Sequence, residues 1–210
     1  MTLSRRIRLR LSNIFCQDWC GSISAPILTF LRIDFVIKMV NTIKKTQKIV
    51  IASMFAALVC VATMIIKLPS PLGGYINLGD CIVLLCGWTL GPVYAFCAAG
   101  IGSALADVFS GYATYATVTF AIKGLMALLA WWIFNVVAKY TKPFVARLVG
   151  GICAEIVMVG GYLTFESFIY GFTPSLLNVP ANTIQGVAGI IIGMIFITVF
   201  DKQNVLKILK

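Results

Sequence analysis

Asn178, Asn182 and Gln185 are spaced four and then three residues apart, and Glu155, Tyr162 and Glu166 seven and then four apart. On an α-helix each set lies along one face. Thr119 and Lys123, four apart, share a face of a third segment, and Tyr75, Asn77, Asp80 and Asp107 add further polar groups upstream. Amides, carboxylates, phenols and an ammonium can hydrogen-bond a polar solute and balance its charge. They are poorly suited to turning it over. The chain has no histidine, so histidine-dependent acid–base and nucleophilic catalysis are excluded. It has no G-x-x-x-x-G-K-[ST] phosphate loop, and solute moved uphill would draw on a partner or an ion gradient. The chain therefore reads as a binding protein and not an enzyme, with no cofactor.

The seven cysteines support the same view. Cys60, Cys81, Cys86, Cys97 and Cys153 lie in apolar stretches and act as small hydrophobes. Cys16 and Cys20 have no second ligand pair, so no metal site is expected.

The elements that must position these residues are set by composition. Hydrophobic residues make up 60% of the chain and charged residues 11%. Mean hydropathy is +0.97. Apolar runs of about 20 residues, enough to cross a bilayer, recur along it. The expected class is all-α, a multi-pass protein of the cell membrane with six transmembrane helices. They are placed at Lys48–Lys67, Asp80–Trp88 (short), Pro92–Phe109, Thr117–Lys139, Phe144–Tyr170 and Pro174–Phe200. The first connection, Leu68–Gly79, holds two prolines and three glycines and cannot continue a helix. Irregular backbone beside a bilayer is tolerated where protein shields it or it lines a wet cavity, so this loop is a candidate lid.

The formal charge of +10 raises the question of nucleic acid, and its distribution answers it. Arg5, Arg6, Arg8 and Arg10 crowd the start, and most other basic residues flank apolar runs. Lys44, Lys45 and Lys48, then Lys139, Lys142 and Arg147, then Lys202, Lys207 and Lys210 fall on one side of a six-helix layout. The positive-inside rule makes that side, and both termini, cytoplasmic. No nucleic-acid partner is expected; the bilayer is. Residues 1–38 lack helical periodicity and a clean apolar core. Met39 reads as the start of the functional fold, with 1–38 an upstream extension and 39–210 the membrane domain.

A charge at mid-bilayer costs about 2.5–3.5 kcal/mol even on lenient scales, so intramembrane polar residues face a cavity or a partner. In this layout Asp80, Asp107, Lys123, Glu166, Asn182 and Gln185 all lie in the outer half, and only Glu155 is noticeably deeper. Lys123 stands about 9 Å below the outer end of its helix. Tyr75, Tyr112, Tyr115, Tyr162 and Tyr170 accompany them. Singly, each has a structural alternative: Lys123 paired with Asp107 or Glu155, the amides as interhelical glue, the tyrosines as interfacial anchors. Together, spread over five helices at one depth, they describe a small-molecule pocket. Small residues recur four apart at Ala52 and Ala56 and at Gly189 and Gly193, a pattern that lets helices approach closely. Gly100-Ile-Gly102 echoes a dinucleotide fingerprint without its strand–helix context and reads as a close-packing segment.

Four segments in order carry a more specific signal: Gly74-Tyr-Ile-Asn-Leu-Gly-Asp80, Leu90-Gly-Pro-Val-Tyr94, Gly100-Ile-Gly-Ser-Ala-Leu-Ala-Asp107, and the run from Gly111 to Gly124. Across about Met39–Phe200 the chain resembles the S component, the substrate-binding membrane subunit, of an energy-coupling factor (ECF) vitamin transporter of the riboflavin-transporter-related branch. The resemblance implies capture of a vitamin from outside, and partnership with a transmembrane coupling subunit and two cytoplasmic ATPase subunits. It also implies delivery by toppling in the membrane. Ala52 and Ala56 match the family's contact for the coupling subunit, and Leu68–Gly79 its gate. Substrate contacts would fall on Tyr75, Asn77, Lys123, Tyr162, Glu166, Asn182 and Gln185. The implied ligand is a B6 vitamer or hydroxymethylpyrimidine ahead of riboflavin. The rival readings are a self-sufficient ion-coupled carrier using Asp107, Glu155 or Lys123 as a proton relay, and a ligand-free membrane scaffold.

Overall fold

The computed structural model describes residues 25–69 and 75–202. In chain order they form α1 (Ala25–Ile65), β1 (Lys67–Pro69), β2 (Tyr75–Asn77), α2 (Gly79–Thr89), α3 (Pro92–Phe109) and α4 (Ala113–Val137). Then come α5 (Pro143–Tyr170), the short α6 (Phe172–Ser175), a 3-10 turn (Leu176–Asn178) and α7 (Val179–Lys202). The chain divides into two compact units after Thr46. The first contributes helix alone to the description, and residues 1–24 of the expected extension lie outside the described residues. The second, Gln47–Lys210, holds every other element.

Five segments are long and apolar enough to cross a membrane: Lys45–Ile65, Pro92–Phe109, Ala113–Val137, Pro143–Tyr170 and Phe172–Lys202. The sixth expected helix is α2, whose 11 residues rise about 16 Å, half a hydrocarbon core. Nine of them are buried, so other helices take the place of lipid around it.

Three sequence expectations need correction. The helix placed from Lys48 already runs from Ala25, because no proline or glycine interrupts the chain between Pro26 and Pro69. The Leu68–Gly79 loop is not wholly irregular. Its described ends pair as an antiparallel ribbon, Lys67 with Asn77, Leu68 with Ile76 and Pro69 with Tyr75, the one element among the described residues that is not helical. Residues 70–74 of that loop lie outside the described residues. The last helix is not continuous from Pro174. Gly171, at φ +87°, ends α5 in a conformation that L side chains rarely adopt, and the chain re-enters through α6 and the 3-10 turn.

Close packing rests on glycines facing rings and backbone. Phe96 and Phe120 meet edge to face with centroids 5.5 Å apart. A Cβ at Gly100 would stand 2.9 Å from the Phe120 ring, and one at Gly124 2.7 Å from the Phe96 ring. Helices α3 and α4 thus interlock through two reciprocal ring-on-glycine contacts. The Gly189 and Gly193 stripe receives α2, since a Cβ at Gly189 would approach the Asp80 Cβ to 2.8 Å and one at Gly193 the Cys81 carbonyl to 3.4 Å. These contacts bring the ribbon, the C-terminal ends of α3 and α5 and the N-terminal ends of α4 and α7 together at one end of the bundle.

Candidate ligand-binding cavity

Tyr75 and Asn77 are two apart on β2 and so project to the same side of the ribbon. The Tyr75 hydroxyl donates to Asp107 Oδ1 at 2.6 Å, and its ring lies 5.1 Å from that of Tyr112. Burial, and then the bond to Asp107, push the Tyr75 hydroxyl well above the ordinary phenol range, so it remains a donor. From the other strand Lys67 donates to Ser110 Oγ, its ammonium 5.4 Å from the centre of the Tyr75 ring. The Asn77 side chain accepts from the Gly79 N–H at 2.9 Å and so closes the start of α2. The Asn77 backbone N–H donates to Gln185 Oε1, also at 2.9 Å.

Gln185 links the ribbon to the interior. Its Nε2 donates to Asp80 Oδ2 at 2.7 Å, while Asp80 Oδ1 takes the Lys123 ammonium in a fully buried ion pair. One amide therefore joins ribbon, α7 and α2, and one carboxylate joins α2 to α4. On α5 the Tyr162 hydroxyl donates to Thr119 Oγ1 at 3.2 Å. Near the end of that helix Glu166 Oε1 accepts from Asn178 Nδ2 at 2.9 Å. The break after Gly171 is what brings Asn178 inward to make that bond.

These side chains line a partly open cavity of about 40 Å³. Of the seven expected substrate contacts, Tyr75, Asn77, Tyr162, Glu166, Asn182 and Gln185 line it. Lys123 does not. It sits behind the wall with its ammonium 5.6 Å from the centre of the Tyr162 ring, and its partner is Asp80 rather than Asp107 or Glu155. Asp80 wins because α2 occupies the middle of the bundle and starts at the depth of Lys123. The lining also includes Asp107, Tyr112, Tyr115, Thr119 and Asn178. Each was visible in the sequence as a polar residue at cavity depth, but only the ribbon and the re-entrant turn make them converge.

Glu155, the deep carboxylate, has no hydrogen-bond partner on either oxygen and is 6% exposed. It faces the glycines of α7, and a Cβ at Gly186 would stand 3.0 Å from its Oε2. On α1, Ala52 is buried in the chain's own core beside Phe55 and Val59, whereas Ala56 is half-buried.

Phenol walls, amides and carboxylates in a closed apolar bundle can hold a flat polar molecule by stacking and directed hydrogen bonds. The family model for the ECF-type riboflavin transporter S component matches residues 43–202. A Pyrococcus woesei protein described as an "uncharacterized protein in gap 3'region" is 36% identical over 136 residues, covering 64% of this chain and 88% of its own. A solved S component of a bacterial ECF transporter is 25% identical at a TM-score of 0.59, covering 76% of this chain and 96% of that one. With the match running through most of its length, the chain belongs to the ECF-type riboflavin transporter S components, integral membrane proteins that serve as substrate-binding subunits of ECF transporters.

Proposed function

We propose that this chain captures a vitamin or vitamin precursor, a B6 vitamer, hydroxymethylpyrimidine or riboflavin, from outside the cell. It hands the ligand inward through a complex with a transmembrane coupling subunit and two cytoplasmic ATPases. The observation that carries the proposal is the convergence of polar side chains from the ribbon, α3, α4, α5 and α7 on one cavity at one end of an apolar bundle. Tyr75, Asn77, Tyr162, Glu166, Asn182 and Gln185 are the proposed ligand contacts. Lys123 acts behind them, holding Asp80 and through it Gln185.

Helices α1 and α3 both end at the cavity end, which supports reading α2 and its flanking turns as the return between them and the sixth crossing. With basic clusters at the opposite end, the cavity opens outside and both termini lie in the cytoplasm. The cavity is partly open, and a cover that moves would complete the capture of a heteroaromatic ligand. The ribbon, tied down at Tyr75, Lys67 and Asn77, is that cover. On α1 the coupling subunit would meet the outer edge of Ala56 and the exposed Ser53 and Ala57 beside it, since Ala52 is buried and the Ala56 carbonyl already packs on Gly102.

Mass spectrometry of small molecules released from the purified protein tests the proposal directly. A stoichiometric heteroaromatic vitamin or precursor is the expected result. Uptake in vesicles holding this chain alone, without the ATPase and coupling subunits, would instead support a self-sufficient carrier.

A further inference from the structure

Among the described residues the buried charged side chains are Asp80, Asp107, Lys123, Arg147, Glu155 and Glu166. Arg147 lies near the far end of α5, about 28 Å from Glu166 at helical rise, and is paired with Asp201. The cavity end therefore holds four buried carboxylates against one fully buried ammonium, and that ammonium is committed to Asp80. Two of the carboxylates, Asp107 and Glu166, line the cavity, and no lysine or arginine among the described residues does.

The two are not equivalent. Asp107 already accepts the Tyr75 hydroxyl. Glu166 is 3% exposed, uses Oε1 for Asn178, and has no partner on Oε2. A carboxylate oxygen shut away from water without a donor is costly unless something fills the place of the donor. The same lining holds the tyrosines Tyr112, Tyr115 and Tyr162, whose ring faces attract cations, together with the neutral Asn77, Thr119, Asn182 and Gln185. A phosphate or carboxylate entering here would meet two acids in the lining, while the nearest ammoniums lie outside it, Lys123 on Asp80 and Lys67 on Ser110 beside the Tyr75 ring.

We infer that the cavity selects a flat nitrogen heterocycle bearing a positive charge, a protonated amine or a quaternised ring nitrogen, with Glu166 as its counter-ion inside the tyrosine walls. This rests on the reading of the chain as a substrate-capture subunit and narrows it by charge. Glu166 is the residue that sets specificity, and Asn178 holds its carboxylate in place.

Titration calorimetry of the purified full chain in detergent at neutral pH tests it, with thiamine and pyridoxamine as cationic probes. Pyridoxine and riboflavin serve as neutral probes and pyridoxal 5'-phosphate as an anionic one. A cationic probe is expected to bind about tenfold or more tighter than any of the others. Glu166→Gln, which can still accept from Asn178, should abolish that preference, and Glu166→Asp should keep it. Neutral or anionic probes binding as tightly as the cations would overturn the inference while leaving vitamin capture standing. So would an undiminished cation preference in Glu166→Gln. Should Glu166→Gln not fold, the wild-type ranking alone decides the point. Binding of none of the five, nor of hydroxymethylpyrimidine titrated beside them, would remove the vitamin-capture reading itself, and this inference with it.

Discussion

At the scale of single residues, the buried pair of Asp80 and Lys123 has the largest consequence. Burying two charges is repaid only while both are present; removing one leaves the other uncompensated. Asp80→Asn is expected to cost about 3–5 kcal/mol, read as a large fall in thermal unfolding temperature in detergent. Adding Lys123→Met should recover most of the loss, because an apolar side chain of similar length replaces an orphaned ammonium. Equal instability of the single and double variants would mean that the charge pair is not the cause. Lys123 also marks where reading from sequence stops. Its depth was legible from its place in an apolar run, and so was the need for a partner. Which of three nearby acids would supply it depends on α2 being central, and an 11-residue apolar helix carries no signal of its neighbours.

The elements that shape the cavity were legible to unequal degrees. Helix α3 begins and ends where proline and the polar turn predict, Pro92 to Phe109. The ribbon was not foreseen. Its strands are three residues each, too short for an alternating pattern to register, and the signal in that stretch is dominated by proline and glycine. The Tyr75 to Asp107 bond is one of its ties to the helices, beside Lys67 to Ser110 and Asn77 to Gln185. A hydrogen bond to a charged group contributes about 1.5–3 kcal/mol, so Tyr75→Phe should raise the open fraction of the ribbon roughly tenfold or more. Hydrogen exchange at Tyr75–Asn77 should quicken by that factor while α3 and α4 exchange as before. Unchanged exchange would show that Lys67 and Asn77 hold the ribbon without Tyr75.

For the whole molecule, the proposed assembly depends on which face of α1 is left free for a coupling subunit. The Ala52 and Ala56 spacing identified a small-residue face on the first helix, but α1 is apolar nearly all round its membrane stretch, so no polar stripe shows which side turns inward. In the fold Ala52 turns inward, and Ser53 and Ala57, again four apart, are exposed on the outer side. Ala57→Trp should therefore weaken co-purification with the coupling subunit and leave ligand affinity unchanged. Ala52→Trp should destabilise the bundle itself by about 1–3 kcal/mol or more through overpacking. An Ala57→Trp protein that still assembles normally would shift the contact to another face.

The linkage of Asp80 to Lys123 and Gln185 also bears on how the protein is made. Lys123 follows Asp80 by 43 residues and Gln185 by 105. At about 5–20 residues per second, Gln185 emerges from the ribosome roughly 5–20 s after the acid it will bond. Through that interval α2 is too short to span alone, carries an acid at its first turn and lacks the glycine groove of α7 that receives it. The cavity's structural anchor is thus the last part of the bundle to be completed, and a chain halted before α7 would leave an acidic, partly inserted helix for quality control to find.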